Sequence, residues 1–164
     1  LLLSGMRLGE ATALTWSAVD LDAGEIHLSA ATKTHRARTV DLEVSPMLAA
    51  SLLALRPPKP DPSASVWGLS YGAAVAAQRR LRASYGAPAR FSWQVLRSTA
   101  ATYLTNSGGI FGGASAYRSA RQLGHSVQIA ERHYLGTVRV DLAARTLEAA
   151  MGIAPLDAGD GATS

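Results

Sequence analysis

Apolar and polar residues alternate in three short segments near the start of the chain, whereas most later apolar residues recur every three or four positions. The alternation at residues 19–21, 26–30 and 38–42 predicts three strands. Asp22-Ala23-Gly24 supplies the turn between the first two strands, and residues 32–37 supply the next turn. We therefore expect a small three-stranded antiparallel sheet, with Lys33 at the tip of its second hairpin.

The helical pattern begins where Leu8, Ala11 and Leu14 follow one another at the spacing of helix turns. Ser45-Pro46 marks another helix start, because serine caps N-termini and proline suits the first turn. Prolines at residues 57–62 end that helix, and a glycine-rich loop is expected at residues 107–113. The predicted fold class is mainly helical with one small antiparallel sheet (α+β), and the helices are expected at residues 7–16, 45–55, 72–84, 93–106, 114–123, 127–134 and 140–151.

The 164 residues, of which 48% are hydrophobic, suffice for one domain with its own core. We expect that domain to span residues 1–151 and to be followed by a disordered tail at 152–164. Leu1-Leu2-Leu3 looks like the truncated end of a helix, so an upstream part of the protein is expected to be missing. No apolar run approaches the roughly 18 residues that a membrane-spanning helix needs.

Charge and composition limit the kinds of partner and of binding site that the chain can have. The formal net charge is +4, and 14 of the 16 cationic residues are arginine, which is compatible with a polyanionic partner or with genome composition alone. The absence of cysteine excludes disulfides and thiolate metal sites. No metal site is expected, because none of the histidines has the spacing of zinc ligands; they are His27, His35, His125 and His133.

Four short motifs follow one another along the chain. The first is Ser4-Gly5-Met6-Arg7-Leu8-Gly9-Glu10, and the second is Thr32-Lys33-Thr34 on the predicted hairpin. The third is Leu96-Arg97-Ser98-Thr99, and the fourth is Leu123-Gly124-His125-Ser126, with Tyr134 nine residues after the histidine. In order and separation these motifs resemble the signature of the tyrosine recombinase (phage-integrase) family over residues 1–150.

The resemblance implies the catalytic-domain fold shared with type IB topoisomerases and a site-specific recombinase activity. Tyr134 would attack a phosphate of double-stranded DNA and form a 3′-phosphotyrosine, which a second strand would later displace. Arg7, Arg97 and His125 would stabilise the phosphate, and Lys33 would act as general acid for the leaving 5′ oxygen. The family needs no cofactor, and its core-binding domain would be the missing upstream part.

Physical chemistry gives independent reasons for the two arginines. A guanidinium stays charged and grips two phosphate oxygens at once, which suits a phosphorane-like transition state. Arg7 starts a helix, where a cation opposes the helix dipole and an anionic partner would relieve it; the alternative is an ordinary surface arginine. Glu10, one turn on, is expected to hold the Arg7 guanidinium, with a purely structural salt bridge as the alternative.

One position departs from the family pattern. The family has a histidine three residues before its second arginine, and this chain has Gln94 there. Glutamine donates a hydrogen bond to phosphate but does not transfer a proton. Gln94 and the extended glycine-rich loop favour an alternative in which the chain is a catalytically impaired, DNA-binding remnant of an integrase.

Further cations are candidates for contacts with the DNA backbone, because phosphate contacts dominate the affinity of most DNA-binding proteins. The alternative is that these side chains only form a solvated helix face and a solvated hairpin. The candidates are His35, Arg36 and Arg38 on the hairpin and Arg79, Arg80 and Arg82 on the helix at residues 72–84.

The C-terminal helix is predicted to carry an apolar stripe that needs a partner surface, formed by Val140, Ala144, Leu147 and Met151. It is expected to pack on its own domain or on a neighbouring protomer, as the resemblance implies. The fragment alone is expected to be a monomer, and the full-length protein to form a tetramer on DNA. The resemblance also implies a cytoplasmic, nucleoid-associated protein of bacterial or phage origin. A helical interaction module with incidental basic charge is the remaining alternative.

Overall fold

The computed structural model describes residues 1–29, 37–84, 88, 91–111, 115–136, 138 and 141–154. The strands in these ranges are β1 (Val19–Asp20), β2 (Glu25–Leu28) and β3 (Arg38–Asp41). The helices are α1 (Leu8–Thr12), α2 (Pro46–Leu55), α3 (Tyr71–Ser84), α4 (Trp93–Asn106), α5 (Gly108–Phe111), α6 (Ser115–Leu123), α7 (Val127–His133) and α8 (Leu147–Met151). The described part of the chain has no helix long and apolar enough to cross a lipid bilayer.

The three strands form one antiparallel sheet in the order β1-β2-β3. Ile26 in β2 lies opposite Val19 of β1 and Val40 of β3. Ile26 and Val40 are fully buried, because alternate residues of a strand face the same side of the sheet. The predicted fold class, mainly helical with a small antiparallel sheet, is therefore confirmed. Residues 30–36, at the second hairpin turn, lie outside the described residues.

One hydrophobic core packs the sheet against α2 and the segment that precedes β1. Ser45 caps α2 as predicted, since its hydroxyl accepts the Leu48 backbone N–H at 3.3 Å, and Pro46 is the first helical residue. Leu48 and Leu52, one turn apart, are the buried face of this helix. They join a cluster that includes Met6, Leu14, Trp16, Ile26, Val40 and Leu42.

A second core packs α4 against α6 and α8, and α4 spans the predicted range. Its buried residues recur at helical spacing and begin with a charged one: Arg97, Ala100, Ala101, Leu104 and Thr105. Leu96 and Tyr103, which the sequence pattern placed on the buried stripe, are only half-buried. The buried face of α4 is therefore rotated toward Arg97, which carries the candidate chemistry into the interior.

The first helix is shorter than predicted, since α1 ends at Thr12 instead of continuing to residue 16. Leu14 and Trp16 pair with another segment: the Leu14 carbonyl accepts the Val66 N–H at 2.9 Å, and the Trp16 N–H donates to the Ala64 carbonyl at 3.1 Å. A long-range backbone pairing therefore replaces the last predicted helix turn.

Two predictions about the C-terminal third are wrong. Residues 108–111 of the predicted glycine-rich loop form the short helix α5. The C-terminal helix does not begin near residue 140, because it runs only over Leu147–Met151, and residues 141–146 are not helical. A Cβ on Gly109 would lie 2.2 Å from the Ala144 carbonyl oxygen, so this non-helical segment crosses directly over α5.

The apolar stripe that was predicted for the C-terminal helix packs on its own chain. Ala144 and Leu147 are buried, and Met151 packs against the second core; Val140 lies outside the described residues. Glu148 adds a polar attachment, because its carboxylate accepts the Ser45 hydroxyl and the Met47 N–H, the latter at 2.9 Å. The helix α8 is thus held on the N-terminus of α2.

Candidate active site

Arg7 lies at the N-cap of α1 in an extended backbone conformation. Glu10 reaches back to it: one carboxylate oxygen accepts the Arg7 backbone N–H at 2.7 Å, and the other accepts Nη1 at 2.9 Å. The Glu10 side chain is only 2% exposed, whereas the Arg7 side chain is 28% exposed. The predicted contact is therefore present, and it leaves part of the Arg7 guanidinium facing solvent.

Arg38 is a second cation on Glu10, and its position corrects the expectation that it contacts DNA from the hairpin. Its Nη1 and Nη2 donate to the two Glu10 oxygens at 2.6 and 2.5 Å, and the side chain is 3% exposed. Strand alternation explains the burial, because Arg38 shares the inward face of β3 with Val40. A buried carboxylate also needs a compensating charge, which Arg38 supplies.

The two arginines hold Glu10 in its ionised form. Burial by itself would raise the pKa of the Glu10 carboxyl, yet the hydrogen bonds from Arg38 and Arg7 overcome that effect and lower the pKa to about 2. The carboxylate is therefore charged throughout the neutral range and fixes both guanidinium groups around it.

Arg97 enters the same cluster from the buried face of α4. Its Nη1 donates to the Gly5 carbonyl, and its Nη2 donates to the Leu123 carbonyl at 2.7 Å. Burial, and then repulsion from Arg7 and Arg38, lowers the pKa of Arg97 to about 10. The group remains cationic at neutral pH, although the positive charges near it outweigh the negative ones.

The three guanidinium groups share one structural support, the C-terminal end of α6. Each donates to a backbone carbonyl there, and the three carbonyls are consecutive in sequence. A helix C-terminus leaves its last carbonyls without helical partners and carries partial negative charge, so cations are favoured at this end. The pairs are Arg38 with Gln122, Arg97 with Leu123 and Arg7 with Gly124, at 2.8, 2.7 and 3.5 Å.

Gly124 is required where this support turns toward the next helix. Its φ of +70° lies in the left-handed region that glycine adopts readily. A Cβ at this position would also lie 2.8 Å from Cδ of Arg38. Both the backbone turn and the passage of the Arg38 side chain therefore depend on glycine in the Leu123-Gly124-His125 motif.

His125 follows this glycine and lies between the arginine cluster and Tyr134. Its Nδ1 lies 3.1 Å from the Ser126 carbonyl oxygen, so Nδ1 carries the proton in this arrangement. Its Nε2 is buried and has no hydrogen-bond partner among the described residues. Burial, followed by the charges of Arg97 and Arg7, lowers the pKa of His125, so the neutral ring is favoured and Nε2 presents a lone pair.

Tyr134 caps the C-terminus of α7 and is half-buried. Its ring stacks on that of His125, with the centroids 5.7 Å apart and the planes 26° from parallel. The same ring packs against the second hydrophobic core. An ionised Tyr134 would raise the pKa of Arg97, which places the phenol within electrostatic reach of the cluster. The structure thus brings together Arg7, Arg97, His125 and Tyr134, four of the residues singled out in the sequence.

Other residues singled out in the sequence lie elsewhere. Gln94 is exposed at the second position of α4, one turn before Arg97. Arg79 and Arg80 are exposed on α3, and Arg82 on the same helix donates from Nε to the Phe91 carbonyl at 2.6 Å. The hairpin residues Lys33, His35 and Arg36 lie outside the described residues.

An open groove of about 770 Å³ runs beside Arg7. Apolar residues such as Leu8 and Leu28 form much of its lining, together with the polar or aromatic residues Thr15, Ser17, His27 and Tyr71. No cluster of three or more His, Cys, Asp or Glu side chains that could hold a metal ion occurs in the described ranges. Arg38 was singled out from the sequence for a contact with DNA and not for this cluster, although the strand alternation gave a signal for its burial. Asn106, which holds the backbone of Tyr134, was missed.

The overall fold is similar to those of solved integrase and recombinase structures. An integrase of transposon Tn1549, solved with a circular intermediate DNA, aligns with a TM-score of 0.61 and 16% identity over 84% of this chain and 52% of that one. A second Tn1549 integrase complex gives a TM-score of 0.59 and 18% identity over 84% and 53%. XerA recombinase gives 0.53 and 24% identity over 82% and 50%.

The present chain therefore spans about half the length of these structures. No protein-family model and no curated protein matches its sequence. The comparisons show the mostly helical fold with a three-stranded antiparallel sheet that tyrosine recombinase catalytic domains have, at identities too low to transfer individual residues.

Proposed function

We propose that residues 1–151 are the catalytic domain of a site-specific DNA recombinase that acts through a phosphotyrosine on Tyr134. The observation that carries the proposal is the meeting of two distant arginines, a histidine and a tyrosine at one point. Arg7 and Arg97 both donate to the C-terminal carbonyls of α6, and His125, just beyond them, stacks on Tyr134. These groups would supply a nucleophile and the stabilisation of the phosphate, two of the needs of metal-independent phosphodiester cleavage.

Arg7 and Arg97 would bind the non-bridging oxygens of the scissile phosphate. Burial is the main cause of the lowered pKa of Arg97, and repulsion from Arg7 is the next, so the two guanidinium groups already repel each other. An arriving phosphate would relieve this repulsion, and the additional charge of a phosphorane-like transition state would be stabilised still more. Arg7 faces the groove, whereas Arg97 approaches from the interior, so they would hold different sides of the phosphate.

Tyr134 would supply the nucleophile. Its oxygen would form a bond to phosphorus, the bond from phosphorus to the 5′ oxygen would break, and the DNA would be left with a 3′-phosphotyrosine and a 5′-hydroxyl. The Nε2 lone pair of neutral His125 is suited to accept a proton or, once protonated beside the phosphate, to donate a hydrogen bond to it. Lys33 remains our candidate for the proton to the 5′ oxygen.

The proposed partner is double-stranded DNA. Arg7, which lines the groove, and the exposed Arg79 and Arg80 of α3 are cations suited to contacts with a phosphate backbone. Tn1549 integrase was solved with DNA, which supports the same partner here. We further propose that the full-length protein assembles as a tetramer on DNA and that the isolated fragment is a monomer.

A nicked suicide substrate, whose cleaved strand loses a short fragment, tests the proposal directly. The wild-type protein is expected to form a covalent adduct that survives a denaturing gel. Tyr134→Phe should abolish the adduct and leave DNA affinity nearly unchanged, whereas Tyr117→Phe, at an exposed tyrosine of α6, should cleave normally. An adduct with Tyr134→Phe would refute the assignment of the nucleophile.

The alternative is a DNA-binding remnant that has lost strand cleavage. The observation that favours it is Gln94, which is exposed where the resembling family has a proton-transferring histidine. In that case the wild-type protein would bind DNA with strong salt dependence but would form no adduct on the suicide substrate. The same gel therefore separates the two functions.

A further inference from the structure

Asn106, the last residue of α4, holds the backbone that follows Tyr134. Its Nδ2 donates to the Tyr134 carbonyl at 2.6 Å, and its Oδ1 accepts the Gly136 N–H at 2.7 Å. The same Nδ2 also donates to the Thr102 carbonyl, one turn earlier in α4, at 2.7 Å. One amide side chain thus joins the end of α4 to a single turn, at two residues that lie 28 and 30 positions later in the sequence.

The orientation of this amide follows from its partners. The nitrogen faces two carbonyl oxygens, which only accept, and the oxygen faces an N–H, which only donates. Both N–H bonds of the amide are therefore used, and reversing the group would break all three hydrogen bonds. Aspartate has the same shape, but its carboxylate would face the two carbonyls without a donor.

These contacts act at the point where α7 ends. Tyr134 leaves helical geometry, with φ of −124° and ψ of −30°, while its N–H still donates to the Ala130 carbonyl at 3.0 Å. Asn106 binds the other side of the same residue, at the carbonyl. Gly136 then turns the chain at φ of +73°. The backbone of Tyr134 is therefore fixed from both sides, once by its own helix and once by α4.

The helix that supplies Asn106 also supplies Arg97. Nine residues separate them, which corresponds to about 13 Å along a helix. The end of α4 is firmly packed, because Leu104 is fully buried and Thr105 shares a 2.9 Å hydroxyl hydrogen bond with Ser119 of α6. One rigid element thus places the candidate phosphate-binding guanidinium at one end and the backbone of the candidate nucleophile at the other.

We propose that Asn106 is a positioning residue that sets the distance between Tyr134 and the phosphate held by Arg97. It would not touch the reacting atoms, since its contacts are with backbone groups. The assignment rests on the proposed strand cleavage by Tyr134. Loss of the bridge would leave phosphate binding intact and would misplace the phenol, and misplacement of a reacting group by about 1 Å lowers rates by up to about 100-fold.

The test compares Asn106→Ala and Asn106→Asp with the wild-type protein in single-turnover cleavage of the nicked suicide substrate. At saturating DNA both variants should cleave about 10-fold to 100-fold more slowly, while the DNA concentration for half-maximal cleavage stays within about twofold. Asn106→Asp keeps the volume of the side chain, so its defect reports the lost donor rather than lost packing.

Ser51→Ala is the matched control, because Ser51 donates to a carbonyl one turn back in α2, as Asn106 does in α4, but lies outside the cluster. This variant should cleave at the wild-type rate. Wild-type cleavage by both Asn106 variants would overturn the proposal, and so would an equal loss of DNA affinity or a rate defect that merely follows global unfolding.

Hydrogen exchange of the Gly136 amide separates this proposal from the function on which it rests. The amide should be protected in the wild-type protein and should exchange at least about tenfold faster in Asn106→Ala at unchanged global stability. If the wild-type protein forms no adduct, the proposed function fails, whereas changed protection would still establish the bridge. Equal exchange of the Gly136 amide in the wild-type protein and in Asn106→Ala would overturn the bridge, whatever the cleavage rates of the two proteins.

Discussion

The arginine cluster and the segment that carries Tyr134 meet at one site but are held in different ways. The cluster consists of Arg7, Arg38 and Arg97 with Glu10, and it is closed by three consecutive carbonyls of α6. The Tyr134 segment follows α7, a helix of seven residues, and is held by the Asn106 bridge and by the stacking of Tyr134 on His125. The first region is charged and largely buried, whereas the second lies at the end of a short helix and is half-buried.

On the proposed function, the arginine cluster would bind the phosphate and the Tyr134 segment would supply the nucleophile, so the two tasks would be divided between two regions of one small domain. Like charges repel, so three guanidinium groups stay together only where an anion and helix-end carbonyls hold them before any ligand arrives. Such preorganised charge is what stabilises a developing dianion. On the proposed function, the nucleophile needs correct placement rather than a buried charge, and the Asn106 bridge and the stack on His125 would supply that placement.

The strongest way to break the cluster is Glu10→Gln. This change keeps the shape of the side chain but leaves the buried Arg38 guanidinium without its counter-ion, which should cost about 3–5 kcal/mol of unfolding free energy. Glu25→Gln is the control, because Glu25 is on the surface and only approaches His27 at 3.6 Å, so its loss should change stability by less than about 0.5 kcal/mol. Chemical denaturation measures both. Equal stability of the two variants would show that the cluster does not depend on Glu10.

Arg7→Ala should separate catalysis from stability within the same cluster. Arg7 is its most exposed guanidinium, so removal should reduce single-turnover cleavage by about 100-fold, or about 2.7 kcal/mol of transition-state stabilisation, with a smaller loss of folding stability. Arg56→Ala, at an exposed position after α2, should leave the cleavage rate unchanged. Normal cleavage by Arg7→Ala together with a large loss of stability would make Arg7 a structural residue.

The pH dependence of the unfolding free energy tests the ion pairs of Glu10 through a smaller effect. Because the pKa of Glu10 falls from 4.5 to about 2 on folding, its contribution is complete above about pH 4.5 and is lost as the pH falls toward 2. The difference in unfolding free energy between the wild-type protein and Glu10→Gln should therefore be constant at higher pH and narrow over that range. A constant difference down to pH 2.5 would contradict the coupling.

Most of the secondary structure could be predicted because local signals and packing agree. The range of α4 and the start of α2 follow from helical spacing and from the Ser45 cap. The start of α8 could not be predicted, because the close crossing over Gly109 is a long-range contact that no local pattern records. Helical propensity over residues 141–146 therefore yields to tertiary packing.

The candidate site was predictable to the same degree. The residues that converge were identified because their motifs resemble those of the tyrosine recombinase family, and the fold brings these distant residues together. Arg38 was misplaced because a cation near a hairpin tip was taken to be exposed, although the alternation with Val40 indicates the inward face. Asn106 carries no local signal at all, since its role depends on a turn 28 residues later.

The smallest expected effect concerns Gln94, the departure from the family pattern. Gln94 lies one turn before Arg97 on α4, and its side chain is exposed, so Gln94→His should neither disturb the core nor change stability measurably. Both side chains donate hydrogen bonds to phosphate, and only histidine transfers a proton. If cleavage by the wild-type protein is limited by that proton transfer, the variant should cleave up to severalfold faster, with a pH profile that now includes a histidine; otherwise the rate should stay the same. A large loss of cleavage by Gln94→His at unchanged stability would show that the site depends on glutamine at this position. Gln94→Ala tests that conclusion further. If the site depends on glutamine, the cleavage rate of Gln94→Ala should fall at least as far as that of Gln94→His.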